Sequence, residues 1–121
     1  MCRVNSIFAI LPPVAWTVTF FSPRVRAEIL ALPAGFVARF LRYAERIEVH
    51  GPDLGMPHTR AMGDGLFELR LRAPEGIARV FYCTVVDRKI VVLHHFVKKT
   101  DKTPKKDLET ARARLKEIKN V

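Results

Sequence analysis

The stretch that decides the fold reads Leu66-Phe-Glu-Leu-Arg-Leu-Arg72, then Ala73-Pro-Glu-Gly76, then Ile77-Ala-Arg-Val-Phe-Tyr-Cys-Thr-Val-Val86, then Asp87-Arg88 and Ile90-Val-Val-Leu-His-His-Phe-Val97. Its first part alternates apolar and polar residues, and the later parts are short apolar runs rich in β-branched and aromatic residues. These patterns are typical of β-strands. The two interruptions are short and contain turn-forming residues, which join antiparallel neighbours. The stretch therefore predicts a three-stranded antiparallel meander.

Helices and one further strand are predicted outside this meander. Ser22-Pro23 and Thr103-Pro104 each combine a capping residue with a proline, which is typical of a helix start. The predicted elements are, in chain order, a strand over 16–21, helices over 22–32 and 33–49, a loop over 50–64, the three meander strands and a helix over 103–119. This order predicts an α+β fold in which the first strand joins the sheet beside a later one and the helix pair covers one face.

The chain of 121 residues is long enough for one domain with a buried core. We expect residues 1–14 to form a disordered leader and residues 15–121 to form the single domain. Pro12-Pro13 interrupts the apolar run from Ile7 to Phe21, which argues against both a cleaved signal peptide and a membrane span.

The charge balance narrows the class of partner. There are 21 Lys and Arg against 12 Asp and Glu, which gives a formal net charge of +9. Such a surplus favours nucleic acid, an anionic membrane or an acidic protein. Cys2 and Cys83 form no Cys-x-x-Cys pair, so we expect a cytoplasmic location, no structural metal and no cofactor.

Charged residues interrupt the meander strands where an ordinary strand needs none. Glu68, Arg70 and Arg72 share one face of the first strand, and Arg79 interrupts the apolar second strand. If these strands are neighbours, Arg70, Arg79 and a lysine gather around a shallow groove that suits a phosphodiester. In the alternative interpretation, Arg79 pairs with Glu68 or Glu75 and the other charged side chains are solvated.

His94 and His95 follow each other in the third meander strand. Histidine titrates near neutrality, so either ring could accept the proton of an RNA 2′-hydroxyl. Because adjacent strand residues point to opposite faces, only one of the two can face the groove. A lysine crowded by other cations is an alternative base, since its pKa would be lowered. A structural role for the histidines also stays open.

Several segments resemble the phage-derived HigB-like branch of the RelE/ParE toxin superfamily. They are Gly63-Asp-Gly-Leu-Phe-Glu-Leu-Arg70, Arg79-Val-Phe-Tyr82, Leu93-His-His-Phe-Val-Lys-Lys-Thr-Asp-Lys-Thr-Pro104, Glu28-Ile-Leu-Ala-Leu-Pro33 and Gly51-Pro-Asp-Leu-Gly-Met-Pro-His-Thr59. The resemblance covers about Trp16 to Ile118.

The resemblance implies the toxin of a type II toxin–antitoxin module, which cleaves mRNA in the ribosomal A site without a metal. It also implies a helix-turn-helix antitoxin encoded by an adjacent gene. The expected catalytic residues are Arg70, Arg79, Lys98, Lys99, His94 and His95, and the expected RNA contacts are Arg72, Lys102, Lys105 and Lys106. Two alternatives remain: a gyrase-inhibiting ParE-like toxin without catalytic residues, and a non-catalytic phage-derived nucleic-acid-binding protein.

Overall fold

The computed structural model describes residues 16–98 and 104–119. Its elements in chain order are β1 (Thr17–Phe20), α1 (Pro23–Leu30), α2 (Ala34–His50), β2 (Thr59–Gly63), β3 (Leu66–Ala73), β4 (Gly76–Val85), β5 (Lys89–Lys98) and α3 (Lys105–Lys119). The predicted α+β class is confirmed. The predicted leader over residues 1–14 lies outside the described residues.

All five described strands form one sheet in the order β1-β5-β4-β3-β2. β2 to β5 follow each other as an antiparallel meander, and β1 pairs with β5 in parallel. Thus the first strand joins the sheet beside the last one, because the α1–α2 pair carries the chain back across the sheet. The expectation of a later-strand partner for β1 is confirmed.

The meander has four strands rather than the three expected, since β2 lies within the segment predicted as a loop. β2 pairs with β3 through a tight turn at Asp64-Gly65, whose φ angles are 58° and 83°. An Asp-Gly pair in the left-handed region is a strong hairpin signal. The loop prediction was therefore wrong for residues 59–63, where the surrounding glycines and prolines outweighed that signal.

α1 and α2 cover one face of the sheet, here called the helix-pair face. Ser22 caps α1, since its Oγ accepts a hydrogen bond from Val25 N at 3.2 Å, and Pro23 occupies the first turn. The core between this helix pair and the sheet is formed by Val25, Ile29, Phe36, Phe40, Tyr43, Ile47, Leu69, Leu71, Ala78, Val80, Tyr82, Ile90 and Val92. The predicted packing of the helix pair on one face is confirmed.

α3 packs on the opposite face over a smaller apolar cluster. That cluster contains Leu66, Phe81, Cys83, Val91, Leu93, Phe96, Ala111 and Leu115. Three basic side chains of α3 donate to backbone carbonyls of the sheet and of the β2–β3 turn: Arg112 to Met62 O at 2.9 Å, Arg114 to Leu93 O at 2.7 Å, and Lys119 to Asp64 O at 2.7 Å. α3 therefore runs from β5 towards the β2–β3 turn, and Arg70 and Arg79 lie on this same face away from that turn.

Candidate functional site

The register of β3 and β4 places Arg70 directly opposite Arg79. Directly opposite residues in an antiparallel pair project from the same face, and so do residues two positions apart. Glu68 therefore shares this face with both arginines. We call it the arginine face, and the strand pairing brings its two arginines together as the meander prediction required.

Glu68 is the buried centre of this cluster, with 0% of its surface exposed. Its Oε1 lies 2.5 Å from Arg79 Nη1 and 4.0 Å from Arg70 Nε. Burial lowers the pKa of Arg79, and the charge of Glu68 opposes that shift. Glu68 and Glu75 were the two predicted partners of Arg79, and the structure pairs it with Glu68. Glu75 instead accepts a hydrogen bond from Gly35 N at 3.1 Å, near the start of α2.

The two arginines differ in how accessible they are. The side chain of Arg79 is 6% exposed and that of Arg70 is 18% exposed. The Nε atoms of both are buried, and neither has a hydrogen-bond partner within the described ranges. Arg70 is therefore the guanidinium better placed to meet a ligand, with Arg79 and Glu68 behind it.

Further cations lie on the arginine face. Arg60 of β2 pairs in register with Glu68 and is exposed, and its charge acts on Arg79. Arg72 lies two positions beyond Arg70 and is also exposed. Lys98, the last residue of β5, is partly buried and pairs in register with Ile77. These side chains make this part of the sheet strongly cationic around its one buried carboxylate.

The two histidines lie on opposite faces, as strand geometry requires. His94 pairs in register with Phe81 and so lies on the arginine face, diagonal to Arg79. Its Nε2 is 2.7 Å from Asp107 Oδ1 in the first turn of α3. His95 pairs with Val80 on the helix-pair face, where burial, followed by the neighbouring His94, lowers its pKa. The structure therefore brings His94, and not His95, to the arginine face.

The predicted lysines are only partly described. Lys105 and Lys106 are exposed in the first turn of α3, beside the Asp107 that contacts His94. Lys99 and Lys102 lie outside the described residues.

Sequence reasoning missed Arg60, because it lies in the strand that was predicted as a loop. It also assigned no role to His58. The His58 ring Nδ1 lies 3.1 Å from the hydroxyl of Tyr43, and the His58 carbonyl accepts from Arg70 N at 2.9 Å. His58 thus links α2 to the backbone of β3 next to the arginine cluster. The signal available in the sequence was Arg60 itself, which lies two residues after His58 and shortly before the Asp64-Gly65 turn.

The other titratable and membrane-related features add little to this site. Within the described ranges, no group of three or more His, Cys, Asp or Glu side chains is arranged to hold a metal ion. Burial raises the pKa of the Cys83 thiol to about 11, so this cysteine is an apolar packing residue. None of the described helices is long and apolar enough to cross a membrane.

The described sheet and helices form an α+β protein that is consistent with the RelE-like fold. The family model described as phage-derived protein Gp49-like (DUF891) matches residues 27–116, well over half of the chain. The chain therefore belongs to the phage-derived Gp49-like family, a RelE/ParE-like toxin–antitoxin family. Membership in such a family indicates an antitoxin as a partner. A search of curated proteins finds no match.

Proposed function

We propose that this protein is a toxin of the HigB-like branch that cleaves mRNA at the ribosome in the cytoplasm. The observation that carries the proposal is the register pair Arg70–Arg79, held on a rigid sheet by the buried Glu68. Two guanidinium groups against one carboxylate leave a net positive charge where a phosphodiester would lie. The sheet fixes their positions, and fixed charges stabilise a transition state without a reorganisation cost.

The reaction requires three events at one phosphodiester. The 2′-hydroxyl loses a proton and its oxygen attacks phosphorus. The bond from phosphorus to the 5′-oxygen breaks, and that oxygen gains a proton, which leaves a 2′,3′-cyclic phosphate and a 5′-hydroxyl. Arg70 suits the charge that develops on the phosphate oxygens, because guanidinium is planar, permanently charged and bidentate. Arg79 lies behind Arg70 and helps to hold the positive charge in place, because the Glu68 carboxylate lies close to both arginines.

Proton transfer falls to the groups at the edge of the cluster. His94 lies on the arginine face with its Nε2 at Asp107, so its Nδ1 is the nitrogen left to exchange a proton with RNA. Lys98 and Lys99 are the alternative candidates for the general base. Arg72, Lys102, Lys105 and Lys106 would then hold neighbouring phosphates. None of these steps requires a metal.

The remaining partners follow from the same proposal. The ribosome would present the mRNA, and an antitoxin of helix-turn-helix type, encoded by an adjacent gene, would neutralise the toxin. Masking the cationic arginine face with acidic side chains is one way to achieve this, and charge complementarity would make that association fast and sensitive to salt.

The test is expression of the chain alone in cells, followed by mapping of new 5′ ends on cellular mRNA. We expect growth arrest, inhibited translation and cuts in frame with codons. Arg70→Gln should reduce cleavage by at least about a hundredfold, as for loss of a transition-state donor. Arg39→Gln is the matched control, because Arg39 is an exposed arginine of α2 on the other side of the sheet.

Two outcomes would overturn the proposal. DNA damage with intact mRNA would indicate gyrase as the target, and binding of nucleic acid without growth arrest would indicate a non-catalytic protein. Equal cleavage by the Arg70→Gln and Arg39→Gln variants, both folded, would remove the arginine face from the mechanism.

A further inference from the structure

The cations of the arginine face lie on a diagonal across the sheet. Arg60 on β2 is in register with Glu68, Arg70 on β3 lies two residues further along, and Arg79 on β4 is opposite Arg70. Lys98 on β5 lies two residues beyond the position opposite Arg79. Each step from one cation to the next thus moves to the neighbouring strand, and two of the three steps also move along it.

The length of this diagonal follows from sheet geometry. Three strand spacings and four residues along the strands separate Arg60 from Lys98, which gives roughly 20 Å between their Cα atoms. A charged path of that length suits about four nucleotides, the lower end of the site sizes of single-strand binding domains. The diagonal is therefore longer than one phosphodiester needs.

Arg60 at the outer end of the diagonal has no structural use within the part of the chain that is described. It is exposed, and none of its described neighbours forms an ion pair with it. The basic residues of α3 that reach β2 behave differently, since Arg112 donates to Met62 O and contacts Asp64. Arg60 also raises the local positive potential, because its charge acts on the buried Arg79.

We propose that Arg60 is a phosphate-binding subsite one step outside the cleavage site, and that single-stranded RNA crosses the sheet along this diagonal from β2 to β5. The inference rests on the proposed function and names the path of its substrate. Arg60 positions the strand by holding the flanking phosphate, while Arg70 meets the phosphate that reacts. Arg60 is thus a positioning residue, and its loss should weaken binding and leave the chemical step unchanged.

The test uses uncleavable 2′-O-methyl RNA oligonucleotides of two to eight nucleotides and measures binding by fluorescence anisotropy over a series of salt concentrations. For the longer oligonucleotides, Arg60→Gln should weaken binding about tenfold and reduce the slope of log affinity against log salt by about 0.7, as for one lost phosphate contact. For the dinucleotide, which cannot reach both Arg60 and Arg70, the variant should bind as wild type does. Arg60→Lys should restore most of the affinity, because lysine keeps the charge.

The matched control is again Arg39→Gln, which removes the same charge on the other side of the sheet. If Arg60→Gln and Arg39→Gln behave alike, the effect is that of net charge and the subsite is wrong. With cleavable mRNA, Arg60→Gln should raise KM and leave the single-turnover rate at saturation unchanged; a lowered saturated rate would also overturn the positioning role.

The two proposals can fail separately. If wild type cuts mRNA but affinity stops rising at two nucleotides, cleavage stands and the diagonal path is wrong. If wild type binds no RNA of any length, the diagonal path is wrong, and the mapping of cuts in cellular mRNA decides the endonuclease proposal separately. If RNA binds along the diagonal with the predicted length dependence but no mRNA is cut, the path stands and the endonuclease proposal is wrong.

Discussion

The two faces of the sheet differ in what they bury. On the helix-pair face, α1 and α2 lie over a continuous apolar core that extends from Val25 to Val92. On the other face, α3 lies over a smaller apolar cluster, and the remaining surface carries the buried Glu68 and its arginines. Burial of apolar side chains stabilises the fold directly, whereas the attraction within a buried ion pair often does little more than offset the cost of its own desolvation. We infer that the helix-pair face stabilises the fold and that the arginine face is maintained for binding.

The largest effect is expected from breaking the ion pair of the arginine face. Arg79→Met leaves the fully buried Glu68 without its 2.5 Å partner, which should cost about 3–5 kcal/mol of unfolding free energy. The double variant Glu68→Leu/Arg79→Met removes both charges and should recover most of that stability without recovering function. Urea denaturation of the three proteins measures the difference. A double variant no more stable than the single one would show that the pair itself stabilises the fold.

A smaller effect should distinguish the two apolar clusters. Ile29 is fully buried on the helix-pair face, and Leu115 of α3 is 5% exposed on the other. We expect Ile29→Ala to cost about 3–4 kcal/mol and Leu115→Ala about 2 kcal/mol, since the cost depends on how completely the site is packed. Hydrogen exchange should show lost protection mainly in α3 for Leu115→Ala and throughout the sheet for Ile29→Ala. Equal loss of protection throughout the sheet in both variants would mean that α3 is no less essential to the fold than the helix pair.

The smallest effect concerns pH and the histidine on the helix-pair face. Burial lowers the pKa of His95 below its ordinary value of 6.5, so the folded protein prefers the neutral ring. The unfolded chain then binds the proton more readily, and stability is fully present above about pH 6.5 and declines as the pH falls below it. The melting temperature should therefore fall between pH 7.5 and 5.5, and less so for His95→Gln. An identical fall in both proteins would exclude His95 as the source.

Local signals in the sequence predicted most of the fold. Ser22-Pro23 begins α1 because the serine satisfies a free backbone donor and the proline fits the first turn. Alternation and tight turns likewise predicted β3 to β5. The failure at β2 has a physical cause: five residues with polar members carry too weak a periodicity, and the strand exists because β3 provides a partner for it.

The candidate site could be predicted in part. Sequence placed Arg70 and Arg79 on neighbouring strands, but only the register shows that Glu68 pairs with Arg79 while Glu75 approaches Gly35. The face of each histidine likewise depends on the bulge between Phe81 and Tyr82 in the β4–β5 pairing. A one-residue shift such as this bulge leaves no trace in the composition, yet it reverses which side chains share a face.

The contact between His94 and Asp107 has a consequence for the lysines that lie between them in the chain. It ties the first turn of α3, with the exposed Lys105 and Lys106, to β5 of the sheet. A tethered cation acts at an effective concentration set by the length of its tether, in the millimolar range for short flexible links. Lys105 and Lys106 are thus kept at a high local concentration on the face of the sheet that also carries Arg79. Asp107→Ala would remove that contact and lower the local concentration of Lys105 and Lys106 at the sheet, without removing either lysine.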